Sequence, residues 1–315
     1  MDSTSSVVEN TISPEFHFPD ADRIIRTTDK MTFHVHKFIL SFASRVFRDM
    51  LSLDNLQRPS HPHQRVVDVS ETSMIWDAAL RYLYPLPRPT FKNLGPIALL
   101  FAISDKYDIP IIASALEDTI LISNLSKRYP IRSFALAKKF NRARLLTRAE
   151  TELVKQRCEI IRTMTVPEEL DYITVDDVRR LEFYRTERLS RIRKYLTTTK
   201  LLPTPECNCW ERYKRTVPKR CEAWECFVDA CWEELRETPT SDISDLRLRR
   251  RAVEESECPD AQEVLFRHYD LDIGTLEYEV SRYAWLYPEK WAESKATIAA
   301  TNEEEREDIE FEYNE

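Results

Sequence analysis

Two places in the chain carry residues whose types could hold a metal. In FHVHKFILSFASRVFRDML, residues 33–51, His34 and His36 stand one residue apart and lead into a crowded apolar segment, but no Cys, Asp or third His follows at ligand spacing and the two read as framework. Further on, CNCWERYKRTVPKRCEAWECFVDACWEEL gathers Cys207, Cys209, Cys221, Cys226 and Cys231. Zinc asks for four converging thiolate or imidazole ligands, with sulfur at about 2.3 Å, and structural sites usually deliver them as two C-x-x-C-like knuckles. Cys207 and Cys209 form C-x-C and Cys221 and Cys226 lie five apart, so neither pair has that spacing. Cys231 shares a helical stripe with Trp224, Phe227 and Leu235 and reads as core. That leaves Cys207, Cys209, Cys221 and Cys226 as candidate ligands of a regulatory zinc module at 207–231. His61-Pro-His63 lies in a polar loop and reads as solvated, and Trp210, Trp224 and Trp232 read as buried rather than as a peptide groove.

Other chemistry is harder to write with this sequence. It holds only two glycines, Gly95 and Gly274, so no Gly-rich phosphate cradle of the dinucleotide or P-loop kind can be formed. G-x-S-x-G and H-E-x-x-H are both absent. The net charge of -8 argues against a general affinity for nucleic acid, whose phosphates demand a basic face. No apolar run approaches the roughly 18 residues of a membrane span. The first residues, MDSTSSVVENTISPE, lack the basic start and apolar middle of a secretory signal, so the seven cysteines are expected as thiols in a reducing compartment, cytoplasmic or nuclear. No catalytic residue, cofactor, nucleic-acid partner or membrane partner is expected.

The elements that would position the histidines can be read from periodicity. ADRIIRTTDKMTFHVH gives two strands around Asp29-Lys30, with Met31, Phe33 and Val35 on one face and Thr32, His34 and His36 on the other. From Lys37 the period becomes helical, with Phe38, Ile39, Phe42 and Ala43 on one face. Ser44 can cap a second helix carrying Val46, Phe47, Met50 and Leu51. After the polar loop DNLQRPSHPHQ, Val67 and Val69 mark a third strand. Helices then follow through Trp76, from Pro96, and from Pro110 to about Asn124. Beyond Tyr129 only helices are expected, with a capping box at Thr174 to Asp177. LRLRRR, residues 246–251, reads as a solvated charged face rather than a nuclear localisation element, and 301–315 as an acidic tail.

In this order, DRIIRTTD, FHVHKFILSFASRVFRDML, VVDVSETSMIWDAALRYLYP and LLFAISDKYDIPIIASALEDTILISNL resemble a BTB/POZ domain. The resemblance implies an α+β fold, a small sheet flanked by a helical cluster over residues 15–124, after a flexible lead at 1–14. It also implies a protein-interaction role: self-dimerisation, and in many members attachment to a cullin of the ubiquitin ligase machinery. Asp22 and Lys37 match a charged pocket at the family's dimer interface, which Phe38 and Phe42 would adjoin, and Tyr107 matches a position on the cullin-facing surface. Such a pair is sensible physically, because either charge buried alone would cost several kcal/mol. Two features depart from the family. Asp29-Lys30 replaces the turn glycine, and the loop before the third strand lacks the hydrophobic-x-Glu motif of cullin binders.

Residues 125–300 resemble the helical extensions that follow BTB domains in a group of fungal proteins, and SKRYPIRSFALAKKFN resembles the start of a BACK region. The expected function is therefore a homodimerising adaptor or scaffold that presents its helical region to an unknown protein partner. The alternatives are a cullin-linked substrate adaptor and the zinc module.

Overall fold

The computed structural model describes residues 11–53, 66–156, 171–198, 221–268 and 270–297. The chain divides into two compact units, Met1–Ala149 and Glu150–Glu315.

The first unit is built on a four-stranded mixed sheet in the order β1-β3-β2-β4, with β1 at Thr11–His17, β2 at Arg23–Arg26, β3 at Met31–Val35 and β4 at Val66–Asp68. The antiparallel β2–β3 hairpin forms as its alternation predicts, pairing Ile24 with His34 and Ile25 with Phe33. Its turn is closed by the Lys30 amide donating to Thr27 O and the Thr27 amide donating to Met31 O, both at 3.0 Å. Lys30 sits at φ 64, the left-handed position that a bulged hairpin normally gives to glycine. Lys30→Gly is therefore expected to stabilise the unit by about 0.5–1 kcal/mol in urea unfolding, the strain relieved exceeding the entropy glycine adds to the unfolded chain.

β1 corrects the expectation of a flexible lead over 1–14, because the strand begins at Thr11 and runs parallel to β3. Its register shifts between Ile12 and His17, and Pro14 is tolerated because β1 lies at the sheet edge. Ser13 and Phe16 are its buried residues, a spacing of three that no strand pattern would reveal. Phe16 packs at 5.8 Å from Phe33 and 5.6 Å from Tyr84.

Against the sheet lie α1 (Lys37–Ala43), α2 (Arg45–Leu53), α3 (Ser73–Leu80), α4 (Gly95–Lys106) and α5 (Pro110–Ile122). Ser44 caps α2 as expected, its Oγ accepting from the Phe47 amide at 2.9 Å while donating to Tyr107 O. Asp29, read as a turn residue, also caps α3: its carboxylate accepts from the Ser73 amide at 2.9 Å and from Thr27 Oγ1 at 2.6 Å. Burial pushes the Asp29 carboxyl up, but the hydrogen bonds from Ser73 and Thr27 prevail and hold it below the usual carboxylate range.

The unit does not stop at Asn124. The helices α6 (Leu125–Arg128), α7 (Pro130–Lys139) and the start of α8 (Ala143–Lys155) share its core through Leu136, Phe140 and Leu145. Phe140 stacks on Phe101 at 5.2 Å, and Glu117 accepts from the Leu145 amide at 3.0 Å, which ties the start of α8 to α5.

The second unit is helical wherever it is described: α9 (Val175–Thr198), α10 (Glu222–Glu237), α11 (Leu246–Glu255), the short α12 (Ala261–Glu263) running into a π-turn at Val264–His268, α13 (Asp270–Ser281) and a last helix at 288–297. The capping box forms, with the Asp177 amide donating to Thr174 Oγ1 at 3.2 Å and the Thr174 amide to Asp177 Oδ2 at 2.9 Å. Trp224, Phe227, Val228, Cys231 and Leu235 are buried as their stripe predicts. Among the described residues no helix is long and apolar enough to cross a membrane.

One buried cation in this unit is poorly matched. Arg188, 4% exposed, lies over the Trp285 ring at 3.8 Å, and its Nη2 donates to Val280 O at 3.4 Å. Its Nε and Nη1 are buried without a hydrogen-bond partner, and burial pulls the guanidinium down to about 10. Replacing such a charge by an apolar chain of similar reach is commonly neutral or favourable. Arg188→Met is expected to raise the urea midpoint, by about 1–3 kcal/mol of stability.

Candidate functional site

One feature of the first unit that packing among the described residues does not explain lies on α1. This helix is seven residues long, and its inward side is set by Leu40, with Ile39 and Ala43 partly packed on the core. Phe38 and Phe42, grouped in the sequence with Ile39 and Ala43 on one face, instead point to solvent at 78% and 79% exposure. They stand one turn apart, and their rings stack at 6.1 Å. α2 continues the pattern: Phe47 and Leu51 turn inward, while Val46, Met50 and Leu53 are exposed. Single exposed apolar residues are ordinary, but two stacked phenylalanines beside further apolar side chains mark a surface that water covers at a cost.

Asp22 and Lys37 meet at the start of this helix. Asp22 is exposed, and its Oδ1 accepts from the backbone amide of Lys37 at 2.6 Å. It therefore caps the first turn of α1 from a distant segment, which sets where Phe38 and Phe42 project. His36, the N-cap residue, makes no side-chain cap bond itself.

The histidines that could have held a metal are held by other groups. His36 Nδ1 meets Tyr84 Oη at 3.0 Å, and its Nε2 lies 3.2 Å from Asp20 Oδ1. His34 faces the ring of His17 at 5.0 Å, a neighbour that β1 supplies and that sequence reading missed. Burial, with His17 beside it, pulls the His34 pKa down. Among the described residues no three of His, Cys, Asp and Glu come together as a metal site.

Tyr107, expected on a partner surface, is only 9% exposed. Its ring stacks on Phe47 at 5.1 Å and meets Trp76 edge-on at 5.3 Å. Its hydroxyl donates to Glu71 Oε2 at 3.0 Å, which also accepts from Trp76 Nε1 at 3.1 Å, while Lys106 Nζ reaches Glu71 Oε1 at 2.6 Å. Burial pushes the Glu71 carboxyl up, but these three donors outweigh it and hold the pKa below its ordinary value. The cluster fastens α3 and α4 to the residues after β4.

Of the four candidate zinc ligands, Cys207 and Cys209 lie outside the described residues, as do Trp210, His61, His63, the loop at 54–65 and the tail at 301–315. Cys221 is buried and its sulfur meets Cys258 at 3.5 Å, while Cys226 is half-buried on α10. Trp224 is buried, so the three tryptophans do not line an open groove together. In the basic run, Arg247 pairs with Asp245 at 2.7 Å, and Arg251 pairs with Glu233 at 2.5 Å and with Glu255 at 2.8 Å.

Residues 18–124 match the family model of the BTB/POZ domain. No curated protein matches the chain.

Proposed function

We propose that this chain, which carries a BTB/POZ domain at residues 18–124 and so a protein-interaction module, self-associates through the face presented by α1 and α2. The observation that carries the reading is the stacked, solvent-exposed pair Phe38 and Phe42. A two-fold interface sets one patch against its own copy, which suits an aromatic surface that needs no partner of opposite charge. Charges of both signs adjoin the patch, Arg45 and Asp49 lying 4.0 Å apart on α2. The Asp22 cap fixes the direction of α1 before association, which limits the ordering cost of binding.

The helical C-terminal region is then carried in two copies and is the part available to a further protein. Attachment to a cullin, the alternative that the resemblance raises, gains nothing from Tyr107, whose ring and hydroxyl are engaged inside the unit.

Sedimentation of the full chain from about 1 to 50 µM tests the reading, a range in which a specific interface of ordinary size is occupied. A mass that rises to twice the chain mass supports self-association. A monomer throughout removes it.

A further inference from the structure

Cys221 directly precedes α10, and Cys258 lies in the turn between α11 and α12. They stand 37 residues apart in sequence, yet their sulfurs come to 3.5 Å, both as thiols. The two residues are 2% and 5% exposed and belong to the apolar core that α10 and α11 build. Turn hydrogen bonds hold the main chain at each. Cys221 O accepts from the Trp224 amide at 3.0 Å, the Cys258 amide donates to Ser256 Oγ at 3.0 Å, and Cys258 O accepts from the Ala261 amide at 3.1 Å. The fold thus brings two sulfurs together from separate segments and fixes the backbone that carries them.

A disulfide needs its sulfurs at about 2.05 Å, so closure asks for about 1.5 Å of travel shared by two side chains. Modest side-chain rotations cover that distance while the turns keep their hydrogen bonds. The two other thiols of α10 are less suited to oxidation, which needs a thiolate. Burial first, and then Glu222, Glu255, Asp229 and Glu225, push the Cys226 thiol up, and burial followed by Glu234 does the same to Cys231.

We propose that Cys221 and Cys258 form a redox-modification site, joined by a disulfide when the chain meets hydrogen peroxide. One thiol, having lost its proton to solvent, attacks the peroxide O–O bond. A sulfenic acid forms, and the hydroxide that leaves takes up that proton as water. The sulfur of the second thiol then displaces the sulfenic oxygen, which departs with the second proton as another water. Two thiols lose two electrons and two protons, and one peroxide becomes two waters. The bond ties the start of α10 to the turn after α11 across a long stretch of chain, which restricts the unfolded state more than a short-range link would. In the reducing compartment expected from the sequence the thiols are the resting form, and the oxidised chain is the more stable one. Both cysteines lie in the second unit, so the site does not depend on self-association through the first.

The test uses the full chain, reduced, treated with one equivalent of hydrogen peroxide, and then alkylated in denaturant. Two of the seven cysteines are expected to escape alkylation, and digestion without reductant should yield a peptide linking Cys221 to Cys258. Dithiothreitol should return both thiols. The oxidised chain should unfold about 5–10 °C above the reduced one. Cys221→Ser and Cys258→Ser should each remove that gain, and Cys226→Ser should keep it. Complete alkylation of Cys221 and Cys258 after peroxide, or their recovery mainly as sulfinic acids or in links to other cysteines, overturns the proposal without relying on any variant. An equal thermal gain in the Cys221→Ser, Cys258→Ser double variant overturns it too.

Discussion

Replacing Phe38 and Phe42 together by aspartate is expected to weaken self-association by at least about 100-fold, because each ring contributes about 1.5–3 kcal/mol when buried and each new carboxylate would face its own copy. The single chain should hardly notice. Both side chains are already about four-fifths exposed and contribute little to its core. The two effects separate in thermal unfolding. The unfolding temperature of the parent chain should rise with protein concentration, as it does for any folded state stabilised by association, and that of the variant should not. Met74→Asp, at an exposed apolar position on α3, is the control and should leave association unchanged.

The second large effect is expected at Glu71. Glu71→Ala leaves the indole N–H of Trp76 and the hydroxyl of Tyr107 without their acceptor, while Lys106 regains water. With a buried unsatisfied donor costing about 1–3 kcal/mol, the first unit should lose about 2–4 kcal/mol. Glu71→Gln keeps an acceptor and should cost less, about 1–2 kcal/mol. Acid separates the two contributions. The carboxyl is depressed in the folded state, so its stabilising contribution is complete above the unfolded pKa and is lost as pH falls through the folded one. Glu71→Gln should therefore flatten the acid limb of the stability profile, as urea midpoints measured from pH 7 down to about pH 3 would show.

The parts of the fold that announce themselves through local periodicity were legible in the sequence. Alternation located the β2–β3 hairpin, and the buried faces of α3, α4, α5 and α10 follow their apolar stripes. What depends on long-range pairing was not legible. β1 has no alternating pattern and is defined by its bond to β3, so its first residues read as a lead. Asp29 and Asp22 read as a turn residue and a pocket charge, yet each caps a helix that begins well after it in sequence. On α1, periodicity grouped Phe38 and Phe42 with the inward-facing Ile39 and Ala43. A seven-residue helix with apolar side chains on several sides does not say which of them meets the core, and Leu40 takes that place. Cys258 stands outside the cysteine run, so only the fold could pair it with Cys221.

The central claim is that a second copy of this chain sits on the α1 face. A photoreactive benzoyl-phenylalanine placed at Phe42 reports on it directly, since the substitution keeps the aromatic ring where it now contacts water. Irradiation at tens of micromolar should link two full chains, with the attachment points mapping by mass spectrometry to α1 and α2 of the other copy. The same probe at Met74 should link none. Absence of cross-linked dimer from position 42, or attachment spread evenly over the surface, would contradict the account.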